Sequence, residues 1–276
     1  MNLNSRINIS IIGAGYLGEY HIQQLKKIEN INIIGFYDID SDRASYISNK
    51  YSIAFMQVDE LVDRSNAISI VTPTKTHFNL AKIAINNSCN IFIEKPITDD
   101  IKDSSELIEL ANSKKVIIQV GHIERFNPVY KLLEKQKLEP RFIECHRLSK
   151  LNKRGHDISV ILDLMIHDID LVCSLKDKNI NRIESNGVSV VSDSIDIANA
   201  RILFDDGCVA NLTASRISQK NMRKMRIFTK GEYYNADLLR KSLDKYKLNK
   251  KGEPQKDCII QPNDNSNPLH DELYNF

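Results

Sequence analysis

Apolar residues fall first into short, mostly apolar runs and later into alternation. Residues 7–12, 31–37, 67–71, 90–93 and 116–120 are apolar runs of strand length, as expected of parallel strands covered on both faces. Between them apolar positions recur at helical spacing. Residues 16–28 put Leu17, Leu25 and Ile28 on or near one face. Residues 78–86 and 98–113 also read as helices, the latter with Thr98 as N-cap before Asp99 and Asp100. Beyond about residue 140 the pattern changes. Residues 141–148 alternate like a strand and 159–175 read as a helix. Strands then follow without interruption at 183–191, 194–204, 208–216 and 225–229. Asp205-Asp206-Gly207 joins two of them as a hairpin. Residues 241–267 are polar and read as a loop with one short strand near Cys258. This predicts an α/β domain over 1–121 and an α+β domain with a mostly antiparallel sheet over 122–276.

One turn in this pattern carries chemistry. Gly13-Ala14-Gly15-Tyr16-Leu17-Gly18 closes the first strand and opens the first helix. The chain has 10 glycines in 276 residues, so chance supplies on the order of 0.01 matches to G-x-G-x-x-G. Gly13 permits a tight turn, Gly15 lets backbone approach a pyrophosphate, and Gly18 lets helix and strand pack closely. Tyr16 and Leu17 lie in the first helical turn, whose N–H groups and dipole favour phosphate. Asp38 ends the second strand 20 residues after Gly18, the place of a ribose-binding acid. A carboxylate there accepts from ribose hydroxyls and repels a 2′-phosphate, which favours NAD. Asp40 and Asp42 add to that charge, and Arg43 partly offsets it, so NADP stays open.

Composition removes other classes. The net charge of +2 gives no electrostatic case for nucleic acid. No segment approaches the roughly 20 apolar residues of a membrane helix. Cysteines 89, 145, 173, 208 and 258 are scattered and form no C-x-x-C pair, which reads as reduced thiols in a cytoplasmic protein. The chain start leads straight into the first strand, leaving no room for a signal peptide.

Ligands of parallel sheets bind where strands end. Those ends carry Thr72-Pro73-Thr74-Lys75-Thr76-His77, Glu94-Lys95-Pro96 and Gly121-His122-Ile123-Glu124-Arg125. His77, Lys95 and His122 are therefore candidates for one crevice. In the later helix Asp163 and His167 stand at i and i+4 and share a face. A buried structural Asp–His pair competes with a catalytic one. Asp163, His167 and Asp170 offer oxygen and nitrogen to a cation, but no compact motif such as H-E-x-x-H is present, and no metal is assigned. Arg147, Lys153 and Arg154 suit a diphosphate, or else form a solvated basic loop. Arg125 is open to the same two readings, or holds its loop to the sheet.

In this order and spacing the motifs resemble the Gfo/Idh/MocA family over essentially the whole chain. The resemblance implies a Rossmann domain followed by the α+β domain, and oxidation of a CH–OH group. It implies a nicotinamide cofactor held by Gly13, Gly15, Tyr16, Leu17, Gly18, Asp38, Thr72, Pro73, His77, Glu94 and Lys95. His167 is then the base for the hydroxyl proton, Lys95 stabilises the reacting oxygen, and Asp163 orients or tunes the site. Residues 121–128 and 154–171 resemble, more narrowly, the branch that oxidises the 3-hydroxyl of UDP-N-acetylglucosamine ahead of an aminotransferase in lipid A synthesis. That implies a nucleotide sugar met by His122, Arg125, Arg147, Arg154, Asp163 and His167. Two alternatives stand beside it: another sugar or inositol as substrate, and an impaired NAD-binding homologue with a regulatory role. The family also implies a homo-oligomer, dimer or tetramer, paired through the open sheet face. It implies further C-terminal helix beyond residues 267–276, where the apolar period has barely begun.

Overall fold

The computed structural model describes residues 6–151, 158–260 and 266–276. They form two compact units, Met1–His122 with Leu269–Phe276, and Ile123–Pro268. In the first unit β1 (Ile7–Ile12), α1 (Tyr16–Leu25), β2 (Ile31–Tyr37), α2 (Ser41–Tyr51), α3 (Val58–Arg64), β3 (Ala67–Ile70), α4 (His77–Asn86), β4 (Asn90–Glu94), α5 (Ile101–Lys114) and β5 (Ile118–Gly121) follow one another. The five strands pair in parallel in the order β2-β1-β3-β4-β5. β3 is buried at every position and β1 at its last four, which explains their mostly apolar runs; Ser10 and Ser69 are included among the buried residues. The chain leaves β1 on one side for β2 and returns on the other for β3. Such a switch point opens a crevice at the carboxyl ends of the two strands.

Local chemistry moved some boundaries. α5 starts at Ile101, not at residue 98. Asp100 caps it by accepting the Lys102 N–H at 2.7 Å, while Thr98 spends its hydroxyl on Asp100 O at 2.6 Å. α2 and α3 went unnoticed because each buries only two residues.

The second unit opens with α6 (Pro128–Lys135), another helix the apolar pattern did not reveal. Its signal is Asn127, which caps the Val129 N–H at 3.1 Å with proline at the first helical position. Next come β6 (Phe142–Leu148), a π turn at Ile161–Met165, and α7 (Ile166–Leu175). The strands β7 (Ile180–Val188), β8 (Ile197–Phe204), β9 (Val209–Ser215), β10 (Met222–Phe228), β11 (Glu232–Asp237), β12 (Ser242–Leu248) and β13 (Pro254–Ile260) complete it. The eight-stranded sheet has the order β13-β12-β11-β10-β6-β9-β8-β7. Only β6 and β9 are parallel neighbours. One face packs Ile143, Cys145, Leu212 and Ile227 against Val129, Leu133, Met165 and Leu171. On the other, Phe142, Phe228, Tyr233 and Tyr246 form a ladder with centroids 5.9, 5.2 and 4.3 Å apart.

Two expectations change here. The polar stretch read as a loop with one strand near Cys258 holds that strand as β13 and a second, β12, paired with it along its length. β13 is the edge strand and β12 lies beside it, with only Leu243 of β12 buried, so no alternation marks β12. α8 (Pro268–Asn275) belongs almost wholly with the first unit, not the second. There Gln119 Nε2 donates to Glu272 O at 3.0 Å, and Phe276 meets Phe92 at 5.9 Å. No helix among the described residues is long and apolar enough to cross a membrane.

Glu19 ties α1 to α2. Its carboxylate accepts from Lys50 Nζ at 2.8 Å, Tyr51 Oη at 2.7 Å and Arg43 at 2.5 Å. Lys50 foremost, with Tyr51 and Arg43, holds it at about 2, against the upward push of partial burial. A carboxyl depressed by folding stabilises fully above its ordinary 4.5 and ceases to as pH falls through about 2. Glu19→Gln is expected to lower Tm at neutral pH and to flatten the acid fall of Tm across that window, as read by calorimetry.

Candidate active site

β1 ends in a turn where two of three glycines are demanded by the protein itself. Gly13 has φ +93°, and a Cβ there would lie 2.4 Å from Val71 O. A Cβ on Gly18 would lie 1.9 Å from Gly13 O, so α1 sits directly on the end of β1. Gly15 differs. Its φ of −60° suits any residue, and no protein atom lies within 4 Å of a Cβ built there. Neither backbone nor packing calls for glycine at this position. Open space beside a helix N-terminus is where a phosphate can approach the backbone. No side chain caps α1, so its first-turn N–H groups are left for water or a ligand. Tyr16 and Leu17 are exposed beside them.

Asp38 and Arg43 complete the turn. Asp38 Oδ2 accepts the Ala14 N–H at 2.6 Å and Oδ1 accepts the Asp40 N–H at 2.9 Å. Arg43 is committed: it donates to Ala14 O at 2.7 Å, Gly15 O at 3.1 Å and Glu19 at 2.5 Å. These residues fit a dinucleotide.

The neighbouring strand ends are stapled together. His77 is buried, with Nε2 2.9 Å from Thr72 O and Nδ1 2.9 Å from Pro96 O. Both ring nitrogens face backbone, so His77 fixes the loop and does not reach a cofactor as the sequence suggested. Thr76 Oγ1 donates to Thr72 Oγ1 at 2.7 Å and approaches Pro73 O at 2.8 Å. Pro73 is exposed and Thr72 half-buried. Half-buried Lys95 directly follows β4, and its N–H donates to Glu94 Oε2 at 3.3 Å. His122, also half-buried, follows β5.

In the second unit the Ile166 N–H closes the π turn onto Ile161 O. Asp163 lies inside that turn and His167 in the first turn of α7. The simple α-helical i, i+4 face therefore does not span them. Such insertions concentrate at functional sites, and both side chains are half-buried.

Arg147 is not a substrate contact. It is 3% exposed and donates to Asp168 Oδ1 at 3.0 and 2.7 Å and to Glu124 Oε1 at 2.8 Å. Arg223 joins Glu124 at 3.1 Å, and Asn127 takes its other oxygen at 3.0 Å. Burial opposes charge on Arg147, yet Asp168 and Glu124 outweigh it and raise the guanidinium above its ordinary value. Burial also raises Asp168, which Arg147 offsets only in part. For Glu124 burial pushes upward, but Arg147 and Arg223 prevail and the carboxyl sits low. The sequence held a signal for this. Ile143, Cys145 and Arg147 alternate on β6, and that phase points all three inward.

Arg125 clamps Asp170 through two bonds of 2.8 and 2.6 Å, holding its turn to α7 and not to the sheet. Lys153 and Arg154 lie outside the described residues. No group of three His, Cys, Asp or Glu among the described residues is placed to hold a metal.

The chain is similar to known proteins. A family model described as "Oxidoreductase family, NAD-binding Rossmann fold" matches residues 7–122. UDP-N-acetylglucosamine 3-dehydrogenase of Acidithiobacillus ferrooxidans is 37% identical over 238 residues, covering 86% of this chain and 75% of the relative. The scyllo-inositol 2-dehydrogenase (NAD(+)) of Bacillus subtilis is 25% identical over 264 residues, with the same two coverages of 86% and 75%. A solved structure of UDP-N-acetylglucosamine 3-dehydrogenase GnnA from A. ferrooxidans superposes with TM-score 0.89 at 32% identity, covering 98% of this chain and 87% of that one. Myo-inositol 2-dehydrogenase from Lactobacillus plantarum, with TM-score 0.80 at 20% identity over 98% of this chain and 88% of that one, shares the fold.

Two expectations separate ligand contacts from internal ones. Gly15→Ala is expected to weaken dinucleotide binding by titration while leaving unliganded stability unchanged, whereas Gly18→Ala costs about 1–3 kcal/mol of stability before any ligand is added. Arg147→Ala takes the guanidinium from buried Asp168 and leaves Glu124 to Arg223 and Asn127, and is expected to cost about 3–5 kcal/mol in urea unfolding; an unchanged unfolding midpoint with a raised substrate KM would return Arg147 to the substrate site.

Proposed function

This chain belongs to the Gfo/Idh/MocA oxidoreductase family, and on that premise we propose that it oxidises the 3-hydroxyl of UDP-N-acetylglucosamine to a ketone with NAD. The observation that carries the substrate is the identity to the A. ferrooxidans 3-dehydrogenase across most of both chains. The observation that carries the cofactor is Gly15, a glycine with no internal reason to be one.

Gly13, Gly15 and Gly18 with the first turn of α1 would hold the diphosphate, and Asp38 the adenosine ribose. NAD is preferred to NADP because Asp38 would repel a 2′-phosphate and Arg43 is already spent on Ala14, Gly15 and Glu19. Bound NAD would supply the hydride acceptor. Lys95 would donate a hydrogen bond to the carbinol oxygen and stabilise charge that develops there. His167 would accept the hydroxyl proton, the task for which imidazole is suited near neutral pH. Asp163 would orient the site. The product, a keto sugar, belongs to the substrate class of aminotransferases. A cytoplasmic homo-oligomer paired through the aromatic ladder of the second sheet fits the same reading.

A second reading, oxidation of a free sugar or inositol, draws on the burial of Arg147, which removes one expected partner of a diphosphate.

The test is NAD reduction with UDP-N-acetylglucosamine, coupled to removal of the keto product because alcohol oxidation by NAD is uphill at neutral pH. His167→Gln and Lys95→Ala are expected to lower kcat by roughly 10²–10⁴-fold with NAD binding retained by titration. Turnover of inositol but not of the nucleotide sugar would favour the second reading. Full activity in both variants would sink the residue assignment.

A further inference from the structure

His21 lies three residues beyond Gly18 on α1, and its ring is wholly buried. Nε2 is 3.1 Å from Glu94 Oε1, and Nδ1 is 3.0 Å from Ser69 Oγ. A carboxylate only accepts, so Nε2 carries a proton and donates to Glu94. The ring also meets Phe92 edge-on at 5.3 Å. One side chain on the cofactor-binding helix thus reaches both β3 and β4.

Glu94 is the last residue of β4 and immediately precedes Lys95. Its carboxylate is held at both oxygens. Oε1 takes the His21 bond, and Oε2 accepts the Lys95 N–H at 3.3 Å. Three of its atoms lie 3.0 Å from the position of a Cβ on Gly121 of β5. The carboxylate is therefore folded back over its own following peptide and wedged beneath a residue that has no side chain. Packing alone gives no reason for an acid here, because an apolar residue of similar volume would fill the space without losing hydration. What the acid adds is direction, since it locks the peptide from which Lys95 projects.

We propose that His21 is a positioning residue: through Glu94 it fixes the Lys95 backbone, and so sets the lysine in register with the phosphate-binding turn at the head of α1. Its effect on turnover rests on the role given to Lys95 above; its effect on the geometry of Lys95 does not. All four residues, His21, Ser69, Glu94 and Lys95, belong to the first unit.

The test compares His21→Leu, which deletes the donor, with His21→Gln, whose amide nitrogen reaches the same place. A misplacement of about 1 Å can cost on the order of 10²-fold. His21→Leu is accordingly expected to lower kcat by about ten- to a hundredfold with NAD affinity little changed, and His21→Gln to restore most of it. In the Lys95→Ala background His21→Leu should have no further effect, because residues acting as a unit are not additive. Independently of turnover, amine labelling of the unliganded protein, read peptide by peptide in a mass spectrometer, should show a shifted rate at Lys95 in His21→Leu but not in His21→Gln. Exposed Lys75 serves as the control. Should His21→Leu not fold, Glu94→Ala removes the acceptor of both the His21 and the Lys95 N–H and carries the same expectation for Lys95 labelling. A folded variant with unaltered Lys95 labelling, or an equal loss of kcat with and without Lys95, overturns the proposal. Full activity of Lys95→Ala overturns the functional reading instead, and the labelling comparison still decides the positioning.

Discussion

The first unit depends on how closely α1 lies against β1. Gly18 sits on the carbonyl of Gly13, with no room for one more carbon. That contact brings the helix N-terminus to the strand end, where a dipole and free N–H groups meet open space at Gly15. It also fixes the aim of every later side chain on α1. Glu19 turns toward α2 and is held there by three donors. His21 faces the sheet and reaches Ser69 and Glu94. A helix displaced by an ångström would lose both sets of bonds together, because close-packed interiors adjust in discrete steps.

The second unit uses buried charge for a comparable purpose. Arg147 on β6 joins Asp168 on α7 to Glu124 in the turn before α6. Buried ion pairs rarely stabilise more than apolar residues of the same volume would, since desolvation consumes most of the attraction. Their strength is the penalty for any arrangement that leaves one partner alone. Asp168 follows His167 directly, and Asp170 on the same helix is clamped by Arg125. The proposed base therefore stands on a helix tethered by two directional contacts within one turn.

Much of this was legible in the chain. Strands buried on both faces give apolar runs, and the glycine turn marks the start of α1. The strands of the first unit and α1, α4 and α5 therefore followed from pattern and spacing, while α2 and α3, with two buried residues each, did not. The elements that escaped were those whose signals are not apolar. α6 is announced by Asn127 and Pro128. β13 was marked by the apolar residues near Cys258, but β12 beside it was not, because it buries only Leu243. The π turn cannot be read from spacing, because inserting one residue leaves composition unchanged. The placement of α8 depends on tertiary contacts, Gln119 with Glu272 and Phe92 with Phe276, that no local pattern encodes.

Site residues divide by a different criterion. Gly15, His77 and Arg147 were all assigned to a ligand because they stand in or beside motifs. The structure asks of each whether the protein already accounts for it. His77 and Arg147 have their polar atoms met within the fold, and both are buried. Gly15 also has its carbonyl met, by Arg43 and the Glu19 N–H, but no protein atom stands where its side chain would be, and on the proposed reading a phosphate takes that space. The same reasoning bears on the substrate. With Arg147 committed to Asp168 and Glu124, and Arg125 to Asp170, the cations named for a nucleotide diphosphate reduce to Lys153 and Arg154. On the proposed reading, discrimination between a nucleotide sugar and a free polyol falls to that short basic segment, while the oxidation chemistry falls to Lys95 and His167. Substrate choice and reaction type would then be carried by different residues of one fold, which can host several chemistries.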